Sequence, residues 1–137
     1  MRSVLSDFKV LTSGASGKKQ VRQVKQMEEV KHLDEWIEIT TPYLDSHNDY
    51  LQIYIQRRNG ELVITDAGYI LQDLELSGWK PDTPGRKALL MTTLKRFGVK
   101  LNGDVLEIRT SAEHVASGRL NLIEAMLAVI DLSFTVQ

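Results

Sequence analysis

The chain has 137 residues, 42% of them hydrophobic and 26% charged, a balance that fits one folded domain and excludes wholesale disorder. Its formal charge of −1 leaves no overall field to draw it onto nucleic acid or an anionic membrane. With no cysteine, disulfides, thiolate zinc sites and cysteine nucleophiles are all excluded.

No apolar run reaches the roughly 18 to 20 residues of a membrane span. The opening stretch, MRSVLSDFKVLTSG, has no continuous apolar segment of signal-peptide type, so a cytoplasmic protein with no membrane partner is expected. Val4, Leu5, Phe8 and Leu11 have helical spacing and predict a short amphipathic helix. The small residues and glycines of LTSGASGKK, residues 11–19, predict a flexible loop. Val21, Val24, Met27 and Val30 then recur every third residue through KKQVRQVKQMEEVKHLDEW and predict a second helix. Lys18, Lys19, Arg22 and Lys25 cluster in its first half, where cations oppose the helix macrodipole. A nucleic-acid contact through these four competes with a merely solvated face. Residues 1–35 thus read as a helical extension, and 36–137 as the core domain.

From Trp36 the period changes to two. WIEITT alternates apolar and polar, and YLQIYIQRR places Leu51, Ile53 and Ile55 on one side and Tyr50, Gln52 and Tyr54 on the other. Asn59-Gly60 suits a type I′ hairpin turn, after which ELVITD returns as the partner strand. AGYILQDLELSG predicts a short helix ending at Gly78. DTPGRKALLMTTLKRFG predicts a longer one, with Thr83 as cap, Pro84 at the first position, and a buried face of Leu89, Leu90, Leu94 and Phe97. Asn102-Gly103 marks a second hairpin in VKLNGDVLEIR. The last segment, LNLIEAMLAVIDLSF, is apolar on most sides, as a helix held between a sheet and another surface is. The order is helix, helix, three-strand meander, two helices, hairpin, helix. The fold class is α+β, a mainly antiparallel sheet packed with helices.

The stretch TPYLDSHNDY, residues 41–50, carries the densest chemistry. In extended backbone Asp45, His47 and Asp49 share a face, and two carboxylates with an imidazole suit Mg²⁺, Mn²⁺ or a non-haem transition metal. Asp66, at the end of the return strand, can lie close to Asp49, giving a catalytic set of Asp45, Asp49 and Asp66. The same residues are those of Asx turns and helix caps, and turn duty is an equally physical reading. No acid-x-lysine follows. The nearest imitation, Glu107-x-Arg109, puts an arginine where a nuclease places lysine beside its nucleophilic water. His32, His47 and His114 have no serine arrangement that suggests a triad, and no phosphate-binding glycine loop is present. Arg57 and Arg58 at the hairpin tip, with Tyr50, Tyr54 and Tyr69, offer cations and aromatics to a partner.

The blocks WIEITTPYLDSHNDYLQIYI, ITDAGYILQDLELSG and TPGRKALLMTTLKRFGVKLNGDVLEI resemble the bacterial and phage family called domain of unknown function 1828. The resemblance runs from about Trp36 to Asp131. The family's recurrent polar positions match Asp45, His47, Asn48, Asp49, Gln52, Asp66, Gly68, Tyr69 and Asp73. Members often carry two aspartates before the glycine of the TDxGY block, where this chain has Ala67, which weakens a metal-dependent reading. The resemblance implies a phage or prophage accessory protein working in the cytoplasm of a bacterial host.

The leading expectation is therefore a protein that is not an enzyme and has no cofactor. It would bind a host protein, a defence nuclease being one case, in the manner of an anti-CRISPR. Its contact residues would be Asp45, His47, Asn48, Asp49, Tyr50, Gln52, Tyr54, Arg57, Arg58, Asp66 and Tyr69. The alternatives are a Mg²⁺- or Mn²⁺-dependent nuclease or phosphoesterase on the Asp/His cluster, and a nucleic-acid-binding module on the basic N-terminal helix. A homo-oligomer is compatible with each.

Overall fold

The computed structural model of the chain describes residues 28–134, and the strands with the clearest alternation lie at the middle of its sheet. β2 (Trp36–Leu44) and β3 (Tyr50–Arg58) are antiparallel, with Ile39 opposite Ile53 and Ile37 opposite Ile55. Asn59 and Gly60 both take positive φ, as a type I′ turn requires, and return the chain as β4 (Glu61–Thr65). β5 (Lys100–Asn102) and β6 (Val105–Thr110) form the hairpin predicted at Asn102-Gly103. That hairpin joins the meander, since β6 pairs with β4 and Ile108 faces Ile64. With β1 (Glu29–Leu33) added beyond β2, the order is β1-β2-β3-β4-β6-β5, antiparallel throughout.

Period two sends Ile39, Leu51, Ile53, Ile55, Ile64, Leu106 and Ile108 to one face, where they join the buried side chains of the helices in one core. α1 (Tyr69–Leu76) contributes Ile70, Leu71 and Leu74, and α2 (Pro84–Arg96) contributes Leu90 and Leu94. Thr83 caps α2 as predicted, its hydroxyl accepting from the Arg86 N–H at 3.2 Å, with Pro84 in the first turn. Leu89 and Phe97 pack at the edge of the core rather than inside it. A 3₁₀ turn (Ala112–His114) leads into α3 (Val115–Leu132), whose many buried positions follow from its place between the sheet and the other helices. The opposite face of the sheet presents Glu38, Thr40, Gln52, Tyr54, Thr65 and Glu107 and has no helix over it among the described residues.

The structure corrects one element. Residues 29–33, predicted as the end of a helix, are the edge strand β1, joined to β2 through Asp34-Glu35. Val30 belongs to the every-third-residue stripe, yet it packs on the core opposite Ile39 as a strand residue. A neighbouring strand with unpaired backbone groups overrode a helical pattern that was thin on helix-specific signals at its end. Asp34 takes the positive φ (46°) that this short turn needs. The sheet is accordingly one meander of four strands extended by the C-terminal hairpin. The helix predicted over 4–11, the loop 11–19 and Lys18, Lys19, Arg22 and Lys25 lie outside the described residues.

Gly118 sits where α3 crosses the sheet. A Cβ there would lie 3.1 Å from Ile64 Cδ1 and 3.4 Å from Thr110 Cγ2, so the closest approach of helix to sheet depends on glycine. Gly118→Val should destabilise the fold by about 1–3 kcal/mol through overpacking, read as a lower midpoint in urea with an unchanged slope.

Candidate functional site

The residues around TPYLDSHNDY are positioned by a break in the sheet. Between Thr40 and Leu44 the pairing of β2 with β3 shifts register, at the point where Pro42 cannot donate a ladder hydrogen bond. Thr41 bridges the break: its hydroxyl donates to the Leu51 carbonyl at 2.9 Å and accepts from the Tyr43 N–H at 3.2 Å. The chain then turns through 45–49 around Asp45. One carboxylate oxygen of Asp45 accepts from the N–H groups of His47 (2.8 Å) and Asp49 (2.9 Å). The other accepts from the Tyr69 hydroxyl at 2.5 Å. Asn48 takes positive φ to close the turn, and Asp45 N–H donates to the Asp49 carbonyl. Asp45 is left 6% exposed. Burial alone would raise its pKa, but the Tyr69 hydroxyl and the two backbone N–H groups outweigh it and hold the carboxyl below its ordinary value. The Tyr69 phenol is pushed well above the usual tyrosine range by burial, then by the carboxylate it donates to.

Asp66 does similar work at the end of β4. It is 0% exposed, and one oxygen accepts from Gly68 N–H (2.8 Å) and Leu106 N–H (3.1 Å) while the other accepts from Ile70 N–H (2.9 Å). Two of these donors are at the start of α1 and the third is on β6. Burial raises the pKa of Asp66, and the three N–H groups act against that rise. Ala67 and Gly68 both take positive φ (58° and 86°), which turns the chain sharply enough to bring those donors round the carboxylate. His47 Nε2 lies 3.0 Å from Asp73 Oδ1, so the 45–49 turn is tied to α1 a second time.

Asp45 and Asp66 therefore spend their oxygens on the fold. Among the described residues no three His, Cys, Asp or Glu side chains are grouped so that they could hold one metal ion. Glu107 and Arg109, the nearest approach to an acid-x-lysine pair, lie 3.8 Å apart as an ion pair, and Arg109 also meets Glu61. His114 does contact a serine, Ser111 Oγ at 3.1 Å from Nδ1, but both are exposed and the pair closes the 3₁₀ turn leading into α3.

Most of the remaining predicted residues fall on the sheet face that has no helix over it among the described residues. Two hollows lie there and share Tyr54. One, of about 430 Å³, has Asp49, Tyr50, Gln52, Tyr54, Asp66 and Tyr69 in its lining, together with Glu29 and Thr40 from the neighbouring strands, so Asp49 and Asp66 do border one hollow as the sequence suggested. The other, of about 510 Å³, is more apolar, with Leu33, Trp36, Val105 and Ala67 beside Arg58 and Glu107. Tyr50 is 54% exposed and Tyr69 40% exposed at the first hollow. Its floor is prearranged: Tyr54 donates to Gln52 Oε1 and Gln52 Nε2 donates to Thr40 Oγ1. Burial and the neighbouring Glu38 carboxylate raise the Tyr54 pKa, so the phenol stays protonated and able to donate.

Arg57 and Arg58 do not act together. Alternation sends Arg58 to the open face, where its guanidinium reaches Gln56 Oε1 at 2.7 Å, and leaves Arg57 on the opposite side, exposed. Several lining residues escaped the sequence reading as site residues, among them Glu29, Leu33 and Trp36. The first two belong to the strand read as helix, and Trp36 was read only as the start of the sheet.

Residues 41–129 match the family described as domain of unknown function DUF1828, and the chain belongs to that family. No curated protein and no solved structure matches it. The two motifs that carried the resemblance, LDxHND and TDxGY, meet in the fold through the Asp45–Tyr69 and His47–Asp73 contacts.

Asp66→Asn would set an amide NH₂ or a lone acceptor against three backbone donors, and should cost about 1–3 kcal/mol or more of stability. Asp49→Asn, at an exposed side chain, should leave stability within about 0.5 kcal/mol of the parent; thermal denaturation of the two variants checks the contrast. Tyr69→Phe should also destabilise at neutral pH. Because the folded pKa of Asp45 is depressed, the stability it adds is present above its ordinary value of 3.8 and is lost as pH falls through the folded value. The gap between parent and Tyr69→Phe should narrow below that pH in a series of urea titrations.

Proposed function

We propose that this chain is a non-enzymatic binding protein and that the open face of its sheet is the contact surface. The observation that carries this reading is the pair of adjoining hollows sharing Tyr54, on the sheet face that has no helix over it among the described residues. Exposed tyrosine at the rim of a preformed concavity gives large contact area at small entropic cost, which is the composition of binding surfaces. The carboxylates that a hydrolytic site would need, Asp45 and Asp66, are taken up by structural donors. The partner we favour is a protein of a bacterial host, with a defence nuclease as the specific case. The resemblance of the family to phage and prophage accessory proteins supports that choice.

The test is capture of host proteins on the immobilised full chain, beside a variant with Leu33→Ala and Tyr50→Ala, one exposed residue from each hollow. The parent should retain a discrete host protein that the variant loses at unchanged thermal midpoint, while Arg57→Ala retains it. A partner held equally by all three would place the contact elsewhere. In parallel, incubation with DNA and RNA in Mg²⁺ or Mn²⁺ should give no cleavage; metal-dependent cleavage abolished by Asp49→Ala would overturn the non-enzymatic reading.

A further inference from the structure

The hollow at the Tyr50 end of the open face has a lining with a definite chemical preference. It includes the carboxylates of Glu29, Asp49 and the buried Asp66 and three phenol rings, Tyr50, Tyr54 and Tyr69, and no lysine, arginine or histidine among the described residues. The Asp49 carboxylate makes no hydrogen bond or ion pair with another described residue, and the same holds for Glu29. Lys31, the cation that shares this face on β1, stands opposite Glu38 in the strand pairing rather than in the lining. At neutral pH the hollow is thus negative and aromatic. Tyrosine faces attract cations through the ring quadrupole, at up to about 6 Å from the ring centre. A carboxylate adds a charge-assisted hydrogen bond to the same guest.

From this lining we infer that the hollow receives the side chain of an arginine or lysine projecting from the partner protein. The inference rests on the binding reading above and names the chemistry of its central contact. Three features argue for a side chain on a protein over a bare metal ion. The lining is mixed aromatic and acidic rather than a closed oxygen cage, and no three ligating side chains converge among the described residues. A volume of about 430 Å³ is that of a site for an organic group. The floor network of Tyr54, Gln52 and Thr40 also leaves the second Gln52 amide proton and the Thr40 hydroxyl proton without a described acceptor, and they point to a guest with some polar backbone beside its charge. The neighbouring, more apolar hollow across Tyr54 would then take the residues flanking that cation.

The experiment is an amide-resolved NMR titration of the full chain with short capped peptides. The probes are Ac-Gly-Arg-Gly-NH₂, its lysine counterpart, the neutral isostere with citrulline, and free spermidine. Expected are shifts confined to the signals of residues 49–54 and 29–40, with the arginine and lysine peptides and not with citrulline. Glu29→Gln with Asp49→Asn, two exposed positions, should weaken binding roughly tenfold while the spectrum stays dispersed and the thermal midpoint is kept. Equal shifts from citrulline would overturn the cation preference and leave the binding surface standing. Spermidine binding more tightly than either peptide would overturn the protein side chain in favour of a free polyamine. Absence of shifts with every probe would overturn the inference, and the capture experiment then decides on the surface by itself.

Discussion

The Asp66 carboxylate lies where β4 stops, α1 starts and β6 passes alongside, and its hydrogen bonds reach all the later partners of that junction. The first turn of any helix leaves N–H groups without partners, and here those of partly buried Gly68 and fully buried Ile70 find theirs in Asp66. A neutral acceptor would satisfy them weakly. A carboxylate satisfies them and the Leu106 N–H together, and the desolvation of its charge is offset by three donors aimed at it. Because one donor is on β6, the position of α1 is coupled to the C-terminal half of the sheet. The exposed ring of Tyr69 inherits that position, and with it so does the rim of the hollow.

A second carboxylate repeats the logic in the turn that leads into β3. Asp45 folds the 45–49 turn around itself and accepts the Tyr69 hydroxyl, so turn and helix are held at a fixed separation. The acids that look most reactive in the linear order are therefore the ones that hold the frame. Asp49, four residues further round the same turn, has its backbone N–H and carbonyl spent on Asp45 and its side chain free to line the hollow. Within five residues one aspartate is structural and another faces solvent, and the difference lies in which way the turn points each carboxylate.

That division could not be read from composition or spacing. β2, β3 and β4 were legible because alternation and Asn59-Gly60 are local signals, and α2 because Thr83, Pro84 and Gly98 mark its ends. β1 was not, since an edge strand with charged residues at alternate places has little to separate it from a solvated helix, and Val30 fits both periods. Turn duty for Asp66 was one of the readings open on sequence, but its third donor lies 40 residues away on β6. The Tyr69–Asp45 and His47–Asp73 contacts span 24 and 26 residues, and neither motif contains a cue that it packs on the other. The hollow itself gathers side chains from β1, β2, β3 and the start of α1, so its existence is a property of the sheet register.

The strand order has a kinetic consequence. Every neighbouring pair in the sheet but one is a hairpin, closed by a short turn between consecutive strands. The exception is β4 with β6, which must find each other across the whole stretch that holds α1, α2 and β5. Hairpins close in microseconds, whereas a long connection must surrender chain entropy before its contacts repay it. The rate at which this protein reaches its native state is accordingly set by one seam. The Asp66–Leu106 contact lies on that seam, so the rim of the hollow is completed only when the two halves of the sheet have joined.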